Sequence, residues 1–353
     1  MSLYSDAYWR DDPWTGCRPD APSNRTALLT DPNKHRWLLV TGTPRSGTTF
    51  LGEMLDQSVA VNSFIEPFNP HGGVPWVHQR YLYFPSADEL DATTRTHFED
   101  FFSYRFTQRT YVHGLDKPLT KWRKRLLLGG NELLVWRGRF NPFARVSLIK
   151  DPIAVFLIDV FLDLRPVHVF GMIRHPLSYA GSLKRLGWDF ELEPLLNQPA
   201  LMERYLPDFE ERNRGKLTPM KACAWIWLAI NRYLLDVSAR RPGVDLIFHE
   251  EMSKAPLESI RWCHARTGLD WDSKKEGRVR SLTDNQQSVG ARAGIAHDFK
   301  RNSRDIFAQS IAWLDDEERH AVMSIVAPVA ETLYAIPDQP ELSARGRSLM
   351  AIQ

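Results

Sequence analysis

The sequence predicts an α/β domain in three layers, with a parallel sheet covered by helices on both faces. Short apolar runs of strand type alternate with helical patterns along most of the chain, and that rhythm belongs to parallel sheets. Two of these runs end in a polar turn that opens a helix, Thr43–Gly47 and Arg174–Pro176. Such turns aim backbone N–H groups and a helix N-terminus at one point, where a phosphate can be held. In parallel sheets ligands bind beyond the carboxyl ends of the strands, so both turns fall where a site is expected. A chain of 353 residues suits one large domain with an insertion, or two domains.

The elements follow in order. Residues 1–36 read as a polar arm rich in Asp, Pro and Arg, without the apolar core of a signal peptide. A strand is expected over Trp37–Thr43, a helix over Thr48–Gln57 and a strand over Val61–Glu66. The segment 69–144 reads as a helical insertion. Its aromatics, among them Trp76, Tyr83, Phe98, Phe101 and Tyr104, are expected mainly in packing, with a minority lining an acceptor pocket. Its basic run Lys117, Lys121, Arg123, Lys124 and Arg125 reads as a solvated helix face, the alternative being a site for an anionic acceptor. Strands over Arg145–Ile149, Val167–Ile173 and Val244–His249 alternate with helices over Ile153–Leu164, Pro176–Leu186, Pro219–Arg240 and Pro256–Thr267. Gly268–Asp298 lacks periodicity and reads as a long mobile loop, which is expected to reach residue 304. A last helix is expected over Asp315–Tyr334, and 341–353 reads as a tail beyond a single domain spanning 37–340.

Composition narrows the function. A net charge of +2 gives no general nucleic-acid or membrane-surface role. Cys17, Cys223 and Cys263 lie far apart, which fits a reducing, cytoplasmic setting and gives neither a disulfide framework nor a zinc site. The most apolar stretch, Ile153–Ile173, is broken by Asp159, Asp163, Arg165 and Pro166, so it is read as helix plus strand and not as a membrane span.

Gly42 and Gly47 have the spacing of a nucleotide-binding loop, G-x-x-x-x-G-K-[ST], but Thr48 stands where the phosphate-bridging Lys belongs, and a cation comes earlier, at Arg45. Such a loop can cradle a phosphate and is poorly built for γ-phosphoryl transfer from ATP. In the second turn, Arg174 at the strand end and Ser182 in the following helix can converge on one anion, the Arg forking onto oxygens and the Ser donating a hydroxyl. Ser178 lies on the same helix face as Ser182, four residues earlier.

With both motifs in hand, Pro44-Arg45-Ser46-Gly47-Thr48-Thr49 resembles the 5′-phosphosulfate loop, and Arg174-His175-Pro176 with Ser182 the 3′-phosphate motif, of sulfotransferases that use 3′-phosphoadenosine 5′-phosphosulfate (PAPS). The Arg-containing loop is similar to that of carbohydrate, tyrosylprotein and many bacterial enzymes of this family. The resemblance implies a P-loop NTPase-like fold, PAPS as sulfuryl donor without a metal, and a glycan, lipid or other small-molecule acceptor, with no nucleic-acid partner. It implies that Arg45, Ser46, Gly47, Thr48, Thr49, Arg174 and Ser182 bind the donor. Lys300-Arg301-Asn302-Ser303-Arg304 resembles the segment that closes over the phosphates, which adds Arg301 and Ser303. Phe248-His249-Glu250-Glu251-Met252 resembles a strand-end segment that positions neighbouring loops.

Sulfuryl transfer needs charge stabilised on the bridging oxygen, a proton removed from the nucleophile, and aligned reactants. Arg45 suits the first task. Glu66, ending its strand before Pro67, is the expected base and resembles the Glu of related carbohydrate enzymes, the alternative being a capping or salt-bridging role. Cytosolic members place a catalytic His near Lys150-Asp151-Pro152, and this chain does not; Asp151 is the reserve base. Lys150 either steadies the sulfuryl group or pairs with Asp151. Two rival readings remain: a P-loop nucleotide kinase, and a non-catalytic nucleotide-binding module.

Overall fold

A computed structural model describes residues 35–77, 81–86, 89–108, 130–188, 191–213, 215–283 and 306–352. The chain runs β1 (Arg36–Gly42), α1 (Thr48–Leu55), β2 (Val61–Ile65), α2 (Ala92–Phe102), α3 (Gly130–Phe140) and β3 (Val146–Lys150). A 3₁₀ turn (Pro152–Leu157) leads into α4 (Ile158–Leu164), followed by β4 (Val167–Ile173) and α5 (Pro176–Leu186). Three short helices, α6 (Glu193–Leu196), α7 (Pro199–Tyr205) and α8 (Phe209–Arg212), precede the long α9 (Pro219–Arg240). The chain closes with β5 (Val244–Phe248), α10 (His249–Lys254), α11 (Pro256–Thr267), α12 (Ser273–Thr283), α13 (Ile306–Ile311), α14 (Asp316–Leu333) and α15 (Ala344–Leu349).

The five strands form one parallel sheet in the order β2-β3-β1-β4-β5. From β1 the chain goes first to the edge strand β2, returns to β3 between the two, then crosses to the other side for β4 and β5. The reversal of direction falls at β1, where a parallel sheet opens a crevice at its carboxyl edge. Register fixes what shares that edge: Ile65 and Val40 both pair with Lys150, Gly42 with Met172, and Ile173 with Phe248.

Alternation of side chains along β1 divides the core in two. Trp37 and Leu39 face a layer that holds Phe64, Phe101, Phe161, Leu177, Trp227 and Val326. Leu38 and Val40 face the opposite layer, with Leu51, Met54, Met172, Ile247 and Cys263. Helix α9 begins where Thr218 caps Lys221 N and Pro219 occupies the first turn, a position that needs no N–H donor. It buries Trp225, Trp227, Ile230, Asn231 and Leu234. Helix α14 starts at a reciprocal capping box between Asp315 and Glu318.

Three expectations change. The helix expected over 153–164 opens with a six-residue 3₁₀ turn, because Asp151 caps Ile153 N and Pro152 sets the first residue. The long loop expected from 268 contains α12: Asp272 caps Lys275 N, and Glu276 pairs with Arg280 one turn later. The expected tail is part of the fold. Leu342 is buried, and Ala351 N donates to Leu246 O at 3.0 Å, beside β5. Among the described residues no helix is long and apolar enough to cross a membrane.

Candidate active site

The turn after β1 is shaped by backbone that L-residues rarely adopt. Gly42 has φ +135°, and a Cβ there would stand 2.2 Å from Met172 O on β4, so only glycine fits. Arg45 and Gly47 follow with φ +69° and +96°. Thr43 N donates to Met172 O at 3.3 Å and Ser46 N to Thr43 O at 3.0 Å, while Leu51 N is bound by Gly47 O at 3.0 Å. The N–H groups of Thr48, Thr49 and Phe50 therefore head the first turn of α1, where helix geometry supplies no carbonyl acceptor. The Ser46 hydroxyl is fully buried in this turn and makes no hydrogen bond among the described residues. A buried, unanswered hydroxyl beside a ring of amides fits an anionic ligand.

The second motif meets the first directly. Arg174, at the end of β4 and almost wholly buried, donates through Nη1 to Arg45 O at 2.7 Å. Its Nε donates to Ser178 Oγ and its Nη2 to Ser310 Oγ, both at 2.9 Å. Helix α9 touches both turns: Trp227 Nε1 donates to the Arg174 carbonyl at 2.7 Å and Asn231 Nδ2 to the Thr43 hydroxyl at 3.3 Å. Ser182 is buried one turn beyond Ser178, so the hydroxyl that touches Arg174 is Ser178 and not Ser182. Helix α13 lies against α5 because residue 181 is glycine; a Cβ there would stand 2.0 Å from Ser310 O.

Two cations thus converge on the loop. The Arg45 guanidinium lies 5.6 Å over the Trp188 ring, a cation–π contact. His249, the first residue of α10, lies close to the loop, with Cδ2 3.1 Å from where a Gly47 Cβ would stand. Burial first, then the charges of Arg174 and Arg45, hold its imidazole well below the usual histidine range, so it is neutral. Behind the loop, His175 N donates to Glu250 Oε1 at 2.9 Å, and His175 Nδ1 accepts from Leu177 N to start α5. Burial pushes the Glu250 carboxyl up to about 7.

Glu66 stands at the same sheet edge. Its backbone is left-handed, φ +47°, with its N–H on Lys150 O at 2.8 Å. Lys150 Nζ donates to Glu66 Oε1 at 2.8 Å, and Asn69 Nδ2 to Oε2 at 3.0 Å. The Lys150 stem crosses α1 at Gly52, where a Cβ would come within 2.8 Å of Lys150 Cγ. The expected pairing of Lys150 with Asp151 is therefore replaced by one with Glu66. Asp151 is fully buried and accepts Phe68 N at 2.8 Å and Ile153 N at 2.9 Å. Burial, helped by the Glu66 charge, pushes its carboxyl up to about 7. With both oxygens committed to backbone, Asp151 is a turn-forming residue, and its reserve role as base has no geometric support.

His168 lies near the opposite edge, its Nε2 3.0 Å from Asp245 Oδ2. Arg301 and Ser303, like the basic run from Lys117 to Arg125, lie outside the described residues. Among the described residues no group of three or more His, Cys, Asp or Glu is arranged to hold a metal ion.

No protein-family model matches the chain, and no curated protein matches it. Solved structures do. The sulfotransferase domain from the Synechococcus PCC 7002 olefin synthase is 15% identical over 85% of this chain and 96% of its own, with a TM-score of 0.44. The mouse sulfotransferase SULT7A1 complexed with PAP, the desulfated nucleotide, is 12% identical over 92% of this chain and 91% of its own, at a TM-score of 0.41. The sulfotransferase STF9 from Mycobacterium avium is 16% identical over 84% and 80%, at 0.38. At these values the likeness stands as a similarity, and the chemistry rests on the residues of the site.

The sequence pointed to Arg45, Arg174, Glu66 and Lys150, but not to Asn69, Asn231, Trp227, Ser310 or Gly181. The i,i+4 spacing of Trp227 and Asn231 was the one available signal, since it sets both on one face of α9. Ser310 and Asn69 come from turns and short helices whose placement depends on tertiary packing.

Proposed function

We propose that this chain is a PAPS-dependent sulfotransferase that transfers the sulfuryl group to a hydroxyl of a carbohydrate, glycolipid or other small-molecule acceptor. The observation that carries the reading is the Arg174 Nη1 to Arg45 O contact, which joins two phosphate-type motifs in one crevice. A loop with Thr48 in place of Lys, and a Glu66–Lys150 pair at the same edge, favour a phosphosulfate over a γ-phosphate.

The geometry of the crevice supports the following roles. The amides of Thr48 and Thr49, the Ser46 hydroxyl and Arg45 take the 5′-phosphosulfate end of the donor. Arg174 with Ser178 and Ser182 takes the 3′-phosphate, and Arg301 and Ser303 are assigned to the same nucleotide from sequence. Glu66 accepts the acceptor's proton as its oxygen attacks sulfur. The sulfur–oxygen bond to the phosphate breaks, and the electron pair stays on the phosphate oxygen of the leaving nucleotide, PAP. The positive end of α1 and Arg45 stabilise that oxygen. Lys150, bound to Glu66, holds the carboxylate in place and lies beside α1, where the sulfuryl group passes. The cytoplasm is the compartment that suits buried, unpaired Cys223 and Cys263.

Incubation with radiolabelled PAPS and a panel of sugars, glycolipids and phenols tests the reading, with products identified by mass. Sulfate appearing on an acceptor, with release of PAP, is the expected result. Phosphate transfer from ATP would favour the kinase reading. Tight PAP binding with no transfer to any acceptor, including those of a crude extract, would favour a non-catalytic module.

A further inference from the structure

Helix α3 and the turn after it carry a face unlike the rest of the surface. Trp136, Phe140 and Phe143 are 55%, 65% and 68% exposed. The Trp136 and Phe140 rings touch, with centroids 5.0 Å apart, one helical turn from each other. Val59 adjoins them and is also exposed, held there by Asn141 Nδ2 donating to its carbonyl at 2.8 Å. Exposed Arg137, Arg139 and Arg145 interleave with the aromatics. Residues 134–145 hold three Arg and no acid.

We propose that this face seats the protein on an anionic lipid bilayer surface. Indole and phenyl rings projecting from a helix and its turn are the groups that settle at the headgroup boundary, and neighbouring cations answer anionic headgroups. Arg139 is drawn back onto Tyr104 O at 2.6 Å and Phe106 O at 3.2 Å, and Arg137 lies within the field of the Asp56 carboxyl, so Arg145 and the outward side of Arg137 serve the headgroups. A second copy of the chain would set one basic face, with Arg137, Arg139 and Arg145, against another, which disfavours a symmetric dimer here. The small net charge of the whole chain concealed this face in the sequence reading.

The face flanks edge strand β2. Asn62 on that strand donates to Gly138 O of α3 at 3.3 Å, and the strand ends at exposed Ile65, next to Glu66. Only through the sulfotransfer reading does this bear on the substrate: a base at that strand end suits an acceptor presented by the lipid surface. Docking itself stands or falls separately.

Flotation of the full chain with phosphatidylcholine vesicles, with and without phosphatidylglycerol, tests the proposal. Binding should require phosphatidylglycerol and weaken with salt. The combined Trp136→Ala, Phe140→Ala and Phe143→Ala variant, and separately Arg137→Glu with Arg145→Glu, should each weaken it about tenfold or more. All five side chains are exposed, so thermal unfolding should stay close to wild type. Absent binding, or binding equal in wild type and both variants, overturns the proposal. So does a dimer in sedimentation that the aromatic variant abolishes, or salt-sensitive RNA binding lost in Arg137→Glu without any vesicle binding.

Discussion

Replacing Glu66 by Gln separates a catalytic carboxylate from a structural one. In the wild type, Oε1 accepts from Lys150 Nζ at 2.8 Å and Oε2 from Asn69 Nδ2 at 3.0 Å. A Gln can offer its oxygen to only one of them, and its NH₂ then faces the other donor. Asn69 cannot simply turn its amide, because its Oδ1 already accepts His71 N at 3.0 Å. The nearly buried Lys150, 8% exposed, will hold the Gln oxygen, so the bond to Asn69 is the one lost. Leaving such a donor unanswered costs about 1–3 kcal/mol when buried, and the lower end applies because Glu66 is a third exposed. Thermal unfolding should therefore fall by only a few degrees, about 2–4 °C for each kcal/mol. Catalysis should fall far more: loss of a general base costs about 10²–10⁴-fold. The drop should appear in kcat, with PAP affinity kept, measured on whichever acceptor turns over. A stable variant with near-normal kcat would refute the role of Glu66. Lost PAP affinity with kcat intact would place this strand end against the nucleotide.

Other outcomes follow from the same geometry. Asp151→Asn should cost about 1–3 kcal/mol, since one amide oxygen cannot accept both Phe68 N and Ile153 N, while the folded fraction keeps its kcat; a large kcat loss at unchanged stability would make Asp151 the base. Gly181→Ala adds helix propensity worth about 1 kcal/mol, yet its Cβ would meet Ser310 O at 2.0 Å, so net stability should fall by about 1–3 kcal/mol in denaturant unfolding. A stabilised variant would mean that α13 does not lie against α5. Glu250 titrates at about 7, above its unfolded value, so the stability it contributes is full in acid and fades as pH rises through neutrality. Glu250→Gln should therefore gain stability relative to wild type as pH is raised from about 5 to about 8. An unchanged difference across that range would exclude the buried carboxyl as a titrating group.

The sheet was legible because its strands are apolar on both faces and end in polar turns. All five strands lie within a residue or so of where the pattern of Trp37–Thr43, Val167–Ile173 and their companions set them. Helices opened by Pro or a capping acid, such as Pro176–Leu186 and Asp315–Tyr334, were legible for the same local reason. α12 was not, because its stability comes from charged pairs and a cap and not from an apolar stripe. At the site, charged residues at strand ends announced themselves, whereas their partners did not. Nothing in the sequence links Ser310 to Arg174 across 136 positions, or Asp151 to Phe68; those contacts exist only once the sheet has brought the carboxyl ends together.

The most direct test of the central claim is calorimetry with PAP and with AMP, the same nucleotide lacking the 3′-phosphate. Charge-assisted bonds are worth about 1.5–3 kcal/mol each, and 1.4 kcal/mol is tenfold in affinity, so PAP should bind at least about tenfold tighter. Arg174→Lys, which keeps the charge but loses the fork, should remove most of that advantage, with AMP binding falling less, through the lost bond to Arg45 O. Equal affinities for PAP and AMP in the wild type, or tighter binding of magnesium-ATP than of PAP, would contradict a site built for the phosphosulfate donor.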